Sequence, residues 1–322
     1  MTEATPARHE RVAAADAGQR VDNFLIRRAP GVPKSHLYRL IRSGDVRVDG
    51  RRVKQTRRLV EGEQVRIPPL HVVSRGAGRV PDELAEAIVD AVVLRHEDFL
   101  VVDKPHGVAV HGGSGLAFGV IDALRQRLDA PRLELVHRLD RGTSGCLLIA
   151  RDNGRNRELQ ALFRERAVEK GYAALLAGHW PEEREVVDVP LAKNVEHAGE
   201  RRVVVAADGQ RALSRFRVRR RLPGATLVDV AIETGRTHQI RVHARHVGHA
   251  VVGDTRYGDN RDNARFRRLG LGRLFLHAAR LAFDWHGERV VVEVPPDAAW
   301  ERALEGLDAA AERPAVPSVH RP

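Results

Sequence analysis

The chain has one cysteine, Cys146, in 322 residues. That excludes a disulfide framework within the chain and any zinc site built on several cysteines. The thiol lies in the apolar run CLLIA, where a small buried hydrophobe is expected. No apolar stretch has the length needed to span a bilayer, so no membrane partner is expected. The first residues, MTEATPARHERVAAADAG, are polar and lack the apolar core of a signal peptide. A cytoplasmic location is the expectation. The HExxH zinc pattern is missing. The Gly-rich HGGSG at 111–115 lacks the Walker lysine and reads as a turn. No repeat of fixed period is present. No metal and no organic cofactor are expected.

What is present is positive charge. The formal net charge is +11 and the pI is near 10.7, which points to an anionic partner. Residues 19–76 carry fourteen Lys and Arg against five Asp and Glu. Lys34, Arg39 and Arg42 lie on or just before one short helix, and Arg51, Arg52 and Lys54 lie at a hairpin. Clustering of this kind is the electrostatic footprint of nucleic-acid binding. The plain alternative is a solvated basic surface.

The element pattern divides the chain. Residues 1–18 read as a flexible N-terminus. QRVDNFLIRRAPG has helical spacing at Val21, Phe24 and Leu25 and stops at Pro30-Gly31. SHLYRLIRSG forms a second helix ending at Gly44. DVRVDG and RRVKQ then form a hairpin across Asp49-Gly50. The unit is assigned 19–76, followed by a linker at 77–88 and a larger domain at 89–305. In that domain, Asp152 or Asn153 caps a helix that runs toward Gly171. RTHQIRVHARHVG is read as a helix closed by Gly248. Residues 186–221 alternate apolar and basic residues, as antiparallel strands with one wet face do. Strands outnumber helices without regular alternation, so the class is α+β with a largely antiparallel mixed sheet. Residues 306–322 have no core-forming pattern and read as a disordered tail.

The stretch that carries chemistry is LVHRLDRGTSG at 135–145. Asp140 sits between Arg138 and Arg141, and the two cations favour its ionised form. The same guanidinium groups suit bidentate contacts to a polyanion. GTSG is turn chemistry and CLLIA has the length of a buried strand, which puts Asp140 on a loop entering a central strand. From spacing alone, a surface ion pair is an equal reading. His137 points away from its neighbour on an extended loop and reads as structural. Histidines 238, 243, 246 and 249 crowd one segment, where phosphate contact or packing fits better than metal.

HRLDRGTSG resembles the catalytic motif of the RluA-type pseudouridine synthases. DKPHGVAVH at 103–111, KGYAAL at 170–175 and GRTHQIRVH at 235–243 match the same family in the same order. RYGD at 256–259 and RLFLHAARLAF at 273–283 extend the match, which covers roughly 90–300. One departure is Gly142, where the family more often has an acid. The helix–helix–hairpin unit resembles the S-four-like RNA-binding domain, most clearly at SGDVRVDG.

The resemblance implies an RNA pseudouridine synthase with Asp140 as its essential residue. It implies that Tyr172 lies against the target base, and that an Arg of GRTHQIR, taken as Arg236, pairs with Asp140. Arg138 would fill the space left by a flipped nucleotide or clamp the adjacent phosphate. The motifs HRLDRxTSGxLLxA and RLFLHAA are similar to those of the RluC-type enzymes, which implies large-subunit ribosomal RNA as substrate. A monomer is expected. Two rivals stand beside this reading. One is a non-catalytic RNA-binding factor on the same fold. The other is an Asp-dependent glycosidase or nucleoside hydrolase, though glycosidases usually need two carboxylates.

Overall fold

In the computed structural model the strand Ser144–Ala150 is buried at every residue. A strand of this kind needs cover on both faces of its sheet. It pairs antiparallel with Phe99–Lys104 and, over two residues, parallel with Leu276–Trp285. Gly145 makes the parallel contact possible. Its φ is +100°, and a Cβ there would lie 2.2 Å from the Ala278 carbonyl oxygen. Each buried aliphatic of this strand contributes about 1.5–3 kcal/mol. Leu147→Ala is the kind of change that would cost about 2–5 kcal/mol.

Around this strand runs a sheet of ten strands, the rest of it antiparallel. From one edge come Val186–Asp188, Leu213–Leu222, Ala225–Ile232 and Glu169–Ala177. Leu276–Trp285, Ser144–Ala150, Phe99–Lys104 and Val92–Arg95 complete the path to the other edge. The α+β class with a largely antiparallel mixed sheet is therefore what the chain adopts. Cys146 is buried, and burial pushes its thiol up to about 12.

The structure describes residues 2–29, 32, 34–73, 80–112, 116–183, 185–197 and 200–312. Of the expected HGGSG turn, residues 113–115 lie outside that set. Among the described residues no helix is long and apolar enough to cross a membrane.

The two expected helices and the hairpin of the basic front unit are present. Helices Val21–Arg28 and Lys34–Ser43 pack on a four-stranded sheet over a core that includes Phe24, Leu25, Leu37, Ile41 and Val65. Asp49 and Gly50 both have positive φ, 46° and 75°, the geometry a two-residue hairpin turn requires.

Three boundary expectations need correction. Residues 1–18 are not a loose lead: Arg8–Arg11 pairs antiparallel with Gln64–Ile67, and buried Asp16 accepts from Arg28 at 2.7 Å. The expected linker 77–88 contains most of the helix Asp82–Asp90, whose Ala85 and Ile88 join a core with Leu124. The expected tail 306–322 begins inside the helix Ala298–Glu312, where Trp300 and Leu307 pack with Phe275. Residues 74–79 and 313–322 lie outside the described residues.

Candidate active site

Asp140 sits on the loop that enters Ser144–Ala150, and the loop is tied at both ends. Leu139 is buried on one side. On the other, Arg141 and Gly107 exchange hydrogen bonds, each 2.9 Å: the Gly107 N–H to the Arg141 carbonyl, and Arg141 Nε to the Gly107 carbonyl. The Thr143 N–H donates to the Asp140 carbonyl at 3.0 Å and closes the turn.

Lys104 locks this arrangement from beneath. It is fully buried, and its Nζ donates to the carbonyls of Pro105, Val108 and Arg141 at 2.8, 2.7 and 3.2 Å. Burial lowers its pKa to about 7, against the pull of Asp140 and Asp103.

The cation that pairs with Asp140 is Arg241. Its Nη1 donates to Oδ2 of Asp140 at 2.8 Å. Its Nε and Nη2 donate to Oδ2 and Oδ1 of Asp254 at 2.7 and 2.8 Å. Asp254 is buried and also accepts from the N–H groups of Arg256 and Tyr257. Burial opposes charge on both partners. Their mutual hydrogen bonds and attraction outweigh it, and hold Arg241 above and Asp254 below their ordinary pKa ranges.

The expected pairing of Arg236 with Asp140 is therefore corrected. Arg236 lies in the turn before the helix Gln239–His246, and its Nε donates to the Arg211 carbonyl at 3.1 Å. Gln239 decides the matter. Its Oε1 accepts from Thr234 and from the Arg236 N–H, and its Nε2 donates to the Leu213 carbonyl and Ser214 Oγ. The helix consequently starts three residues after Arg236 and turns Arg241 toward Asp140.

A small cavity of about 70 Å³ is lined by Asp140, Arg138, Tyr172, Thr143, Arg236 and His238. Tyr172 is on Glu169–Ala177, opposite Val230 of the neighbouring strand. Burial first, and then the Asp140 charge, raise its pKa, so the phenol stays protonated. The Arg138 side chain is exposed and makes no hydrogen bond or ion pair with a described residue. Arg141 is exposed beside it. A larger hollow, about 870 Å³, lies over Arg215, Arg217 and Arg280. Its size does not make it the reactive site: Tyr172 lines it, but Asp140 and Arg241 do not.

His137 accepts from the Leu148 N–H through Nε2 at 3.0 Å and stacks on Phe163. Burial pushes it down to about 4, so it stays neutral at pH 7. Gly142 lies against Leu274, where a Cβ would meet its side chain at 3.2 Å. In the front unit Arg39, Arg42, Arg51 and Arg52 are exposed. Lys34 opens its helix, and its side chain lies outside the described residues.

Sequence reasoning missed Arg241, Asp254, Lys104 and Tyr257 as parts of the site. A lysine directly before proline at the end of the apolar strand FLVVDKP was the available signal for Lys104. The second Arg of GRTHQIR was available for Arg241.

Known proteins carry the same arrangement of segments. The pattern of the RNA pseudouridylate synthase family matches residues 98–246, and that of the S4 domain matches 19–65. The ribosomal large subunit pseudouridine synthase C of Salmonella typhimurium (strain LT2) is 46% identical over 303 residues, covering 92% of this chain and 95% of its own. Its namesake in Escherichia coli (strain K12) is 45% identical with the same coverage. The solved structure of human RNA pseudouridylate synthase domain containing 4 aligns with a TM-score of 0.59 at 26% identity, over 70% of this chain and 96% of that one. Human RNA pseudouridylate synthase domain containing 1 aligns at 0.54 and 31% identity, over 65% and 86%. With a tethered, arginine-held carboxylate on the loop where the family motif falls, and an S4 domain ahead of it, the chain belongs to the RNA pseudouridylate synthase family.

Proposed function

We propose that this enzyme isomerises uridine to pseudouridine in large-subunit ribosomal RNA, with the Asp140 carboxylate acting at the sugar. One observation carries the residue assignment. Arg241 occupies Oδ2 of Asp140, while Oδ1 accepts no hydrogen bond from a described residue in a cavity shared with Tyr172 and Arg138. A carboxylate held at one oxygen and free at the other can attack the ribose, stabilise positive charge on it or take a proton. The glycosidic bond from carbon-1′ to nitrogen-1 breaks and the base turns. Carbon-5 then joins carbon-1′ and gives up its proton while nitrogen-1 takes one, so uridine and product have equal mass. Tyr172 packs against the base.

A uridine in a stacked helix cannot reach this carboxylate. Flipping it out costs a few kcal/mol, roughly, and exposed Arg138 would fill the gap or hold the phosphate. The cavity of about 70 Å³ is small and opens to solvent beside exposed Arg138. Phosphate contacts from Arg141, Arg39, Arg42, Arg51 and Arg52 offset part of the cost. The RNA-binding unit is 19–76 extended by Arg8–Arg11, and the catalytic unit is 89–305 extended by the helices Asp82–Asp90 and Ala298–Glu312. We take the working form to be a cytoplasmic monomer.

The test is to map pseudouridine in large-subunit ribosomal RNA from cells with and without this protein. Loss at defined uridines, restored by the wild-type chain, is expected. An unchanged map would remove the substrate assignment, and release of free uracil would mark a hydrolase.

A further inference from the structure

Behind Asp140 runs a short chain of groups in which each proton can be placed. The Val203 N–H donates to the Tyr257 phenol oxygen at 3.1 Å. The same oxygen lies 2.8 Å from Nδ1 of His238. Nε2 of that ring lies 3.7 Å from Oδ1 of Asp140. Burial raises the pKa of Tyr257, so the phenol keeps its proton at neutral pH. A phenol has one proton to give. Its oxygen already receives one from Val203, and among the described residues His238 Nδ1 is the acceptor within reach. This arrangement favours Nδ1 as the acceptor.

The neutral ring is favoured. Burial is the main cause and holds its pKa below the ordinary value; Asp140 and Asp254 pull it up, while Arg241 and Arg256 push it down. A neutral imidazole that accepts at Nδ1 carries its proton on Nε2. That is the nitrogen facing Asp140. The backbone is bent to this purpose: His238 has φ 54°, a left-handed conformation that costs a non-glycine residue about 1–3 kcal/mol.

We propose that Tyr257 fixes His238 as the Nε2–H tautomer, and that His238 is a positioning residue presenting this N–H to the free oxygen of Asp140. The role rests on Asp140 being the reactive carboxylate. Arg241 holds one carboxylate oxygen and the imidazole N–H attracts the other, which biases the carboxylate toward one orientation. At 3.7 Å the contact falls short of a hydrogen bond and leaves Oδ1 open to the sugar. A ring that donates at Nε2 cannot also be the base that removes the carbon-5 proton there.

The tautomer is read by long-range ¹H–¹⁵N NMR of the full chain labelled at histidine. At neutral pH Nδ1 should be bare and Nε2 protonated, and Tyr257→Phe should mix the two forms. A wild-type Nδ1–H tautomer or an imidazolium would overturn the proposal. Kinetics supply the second readout. His238→Gln keeps an N–H donor without a titrating group, and should stay within about 5-fold of wild-type kcat with an unchanged pH profile. His238→Ala should lose about 10- to 100-fold in kcat at little change in KM. Equal losses in the two variants, or a pH limb that His238→Gln abolishes, would replace positioning with a base role. The NMR signal needs no turnover, so it is separable from a failure of the Asp140 assignment.

Discussion

Arg241 reaches Asp140 with Nη1 at 2.8 Å because its other two nitrogens are already taken by Asp254. A guanidinium is a rigid fork, so fixing Nε and Nη2 also fixes where Nη1 points. Asp254 thus orients the cation that holds Asp140.

Asp254→Asn should therefore lower kcat about 10²-fold, as loss of a preorganised donor does, while KM changes little. Leaving Arg241 half-paired should also cost about 3–5 kcal/mol of stability. Arg241→Lys keeps the charge and loses the fork, and should be similarly slow. Single-turnover assays on an RNA fragment, run beside urea melts, separate the two effects. A stable Asp254→Asn enzyme at full kcat would end this account.

Acid should destabilise the protein through one buried and two partly buried histidines. His106, His137 and His243 are each pushed down to about 4, chiefly by burial, from an ordinary value of 6.5. The unfolded chain then binds more protons between about pH 4 and 6.5. Stability from these groups is complete above about 6.5 and falls as the pH drops through that window. His137→Gln keeps an acceptor for the Leu148 N–H and removes one titration, so its urea-derived stability should vary less steeply over the window. An unchanged slope would show that His137 titrates normally in the folded state.

Much of this molecule was legible from the sequence, and the failures have physical causes. Asp140 was legible because its motif is local: the loop, the turn and the strand are adjacent in the chain. Arg236 and Arg241 both lie in GRTHQIR, and spacing cannot choose between them. The choice is made by Gln239 bonding to Leu213 and Ser214 on a distant strand. Asp254 has no local signature at all. RHER at 8–11 has no apolar alternation, and becomes a strand through pairing with Gln64–Ile67. The helix Asp82–Asp90 was hidden by the Gly and Pro residues before it, although Leu84, Ala85, Ile88 and Val89 have helical spacing.

The exposed arginines of the front unit should set the salt dependence of RNA binding. Replacing Arg39, Arg42, Arg51 and Arg52 with Gln removes four candidate phosphate contacts. On single-stranded RNA the slope of log K against log salt should shrink by about 3. The single-turnover rate at saturating RNA should hold, because none of the four lines the Asp140 cavity. Filter binding across a salt series gives the slope. No change in it would place the RNA anchor elsewhere, with the strand arginines 215, 217 and 219 as the next candidates.

Asp140→Asn is the decisive substitution for the mechanism. It keeps the shape of the side chain and one oxygen for Arg241, while removing the charge and the reactive carboxylate. If Asp140 acts at the sugar, pseudouridine formation should fall below detection. RNA affinity should survive, since it comes mainly from arginine and lysine contacts to phosphate. The fold should survive as well. Lys104 and Gly107 pin the loop through the Arg141 carbonyl, and Asp254 still satisfies two nitrogens of Arg241. Exchanging the charge-assisted hydrogen bond for a neutral one costs about 1–1.5 kcal/mol. A folded Asp140→Asn enzyme that still makes pseudouridine at the wild-type rate would remove Asp140 from the chemistry. A variant that loses fold, binding and activity together would make the Asp140–Arg241 pair a structural tie, and the rescue of fold without activity by a second-site stabilising change would separate those two outcomes.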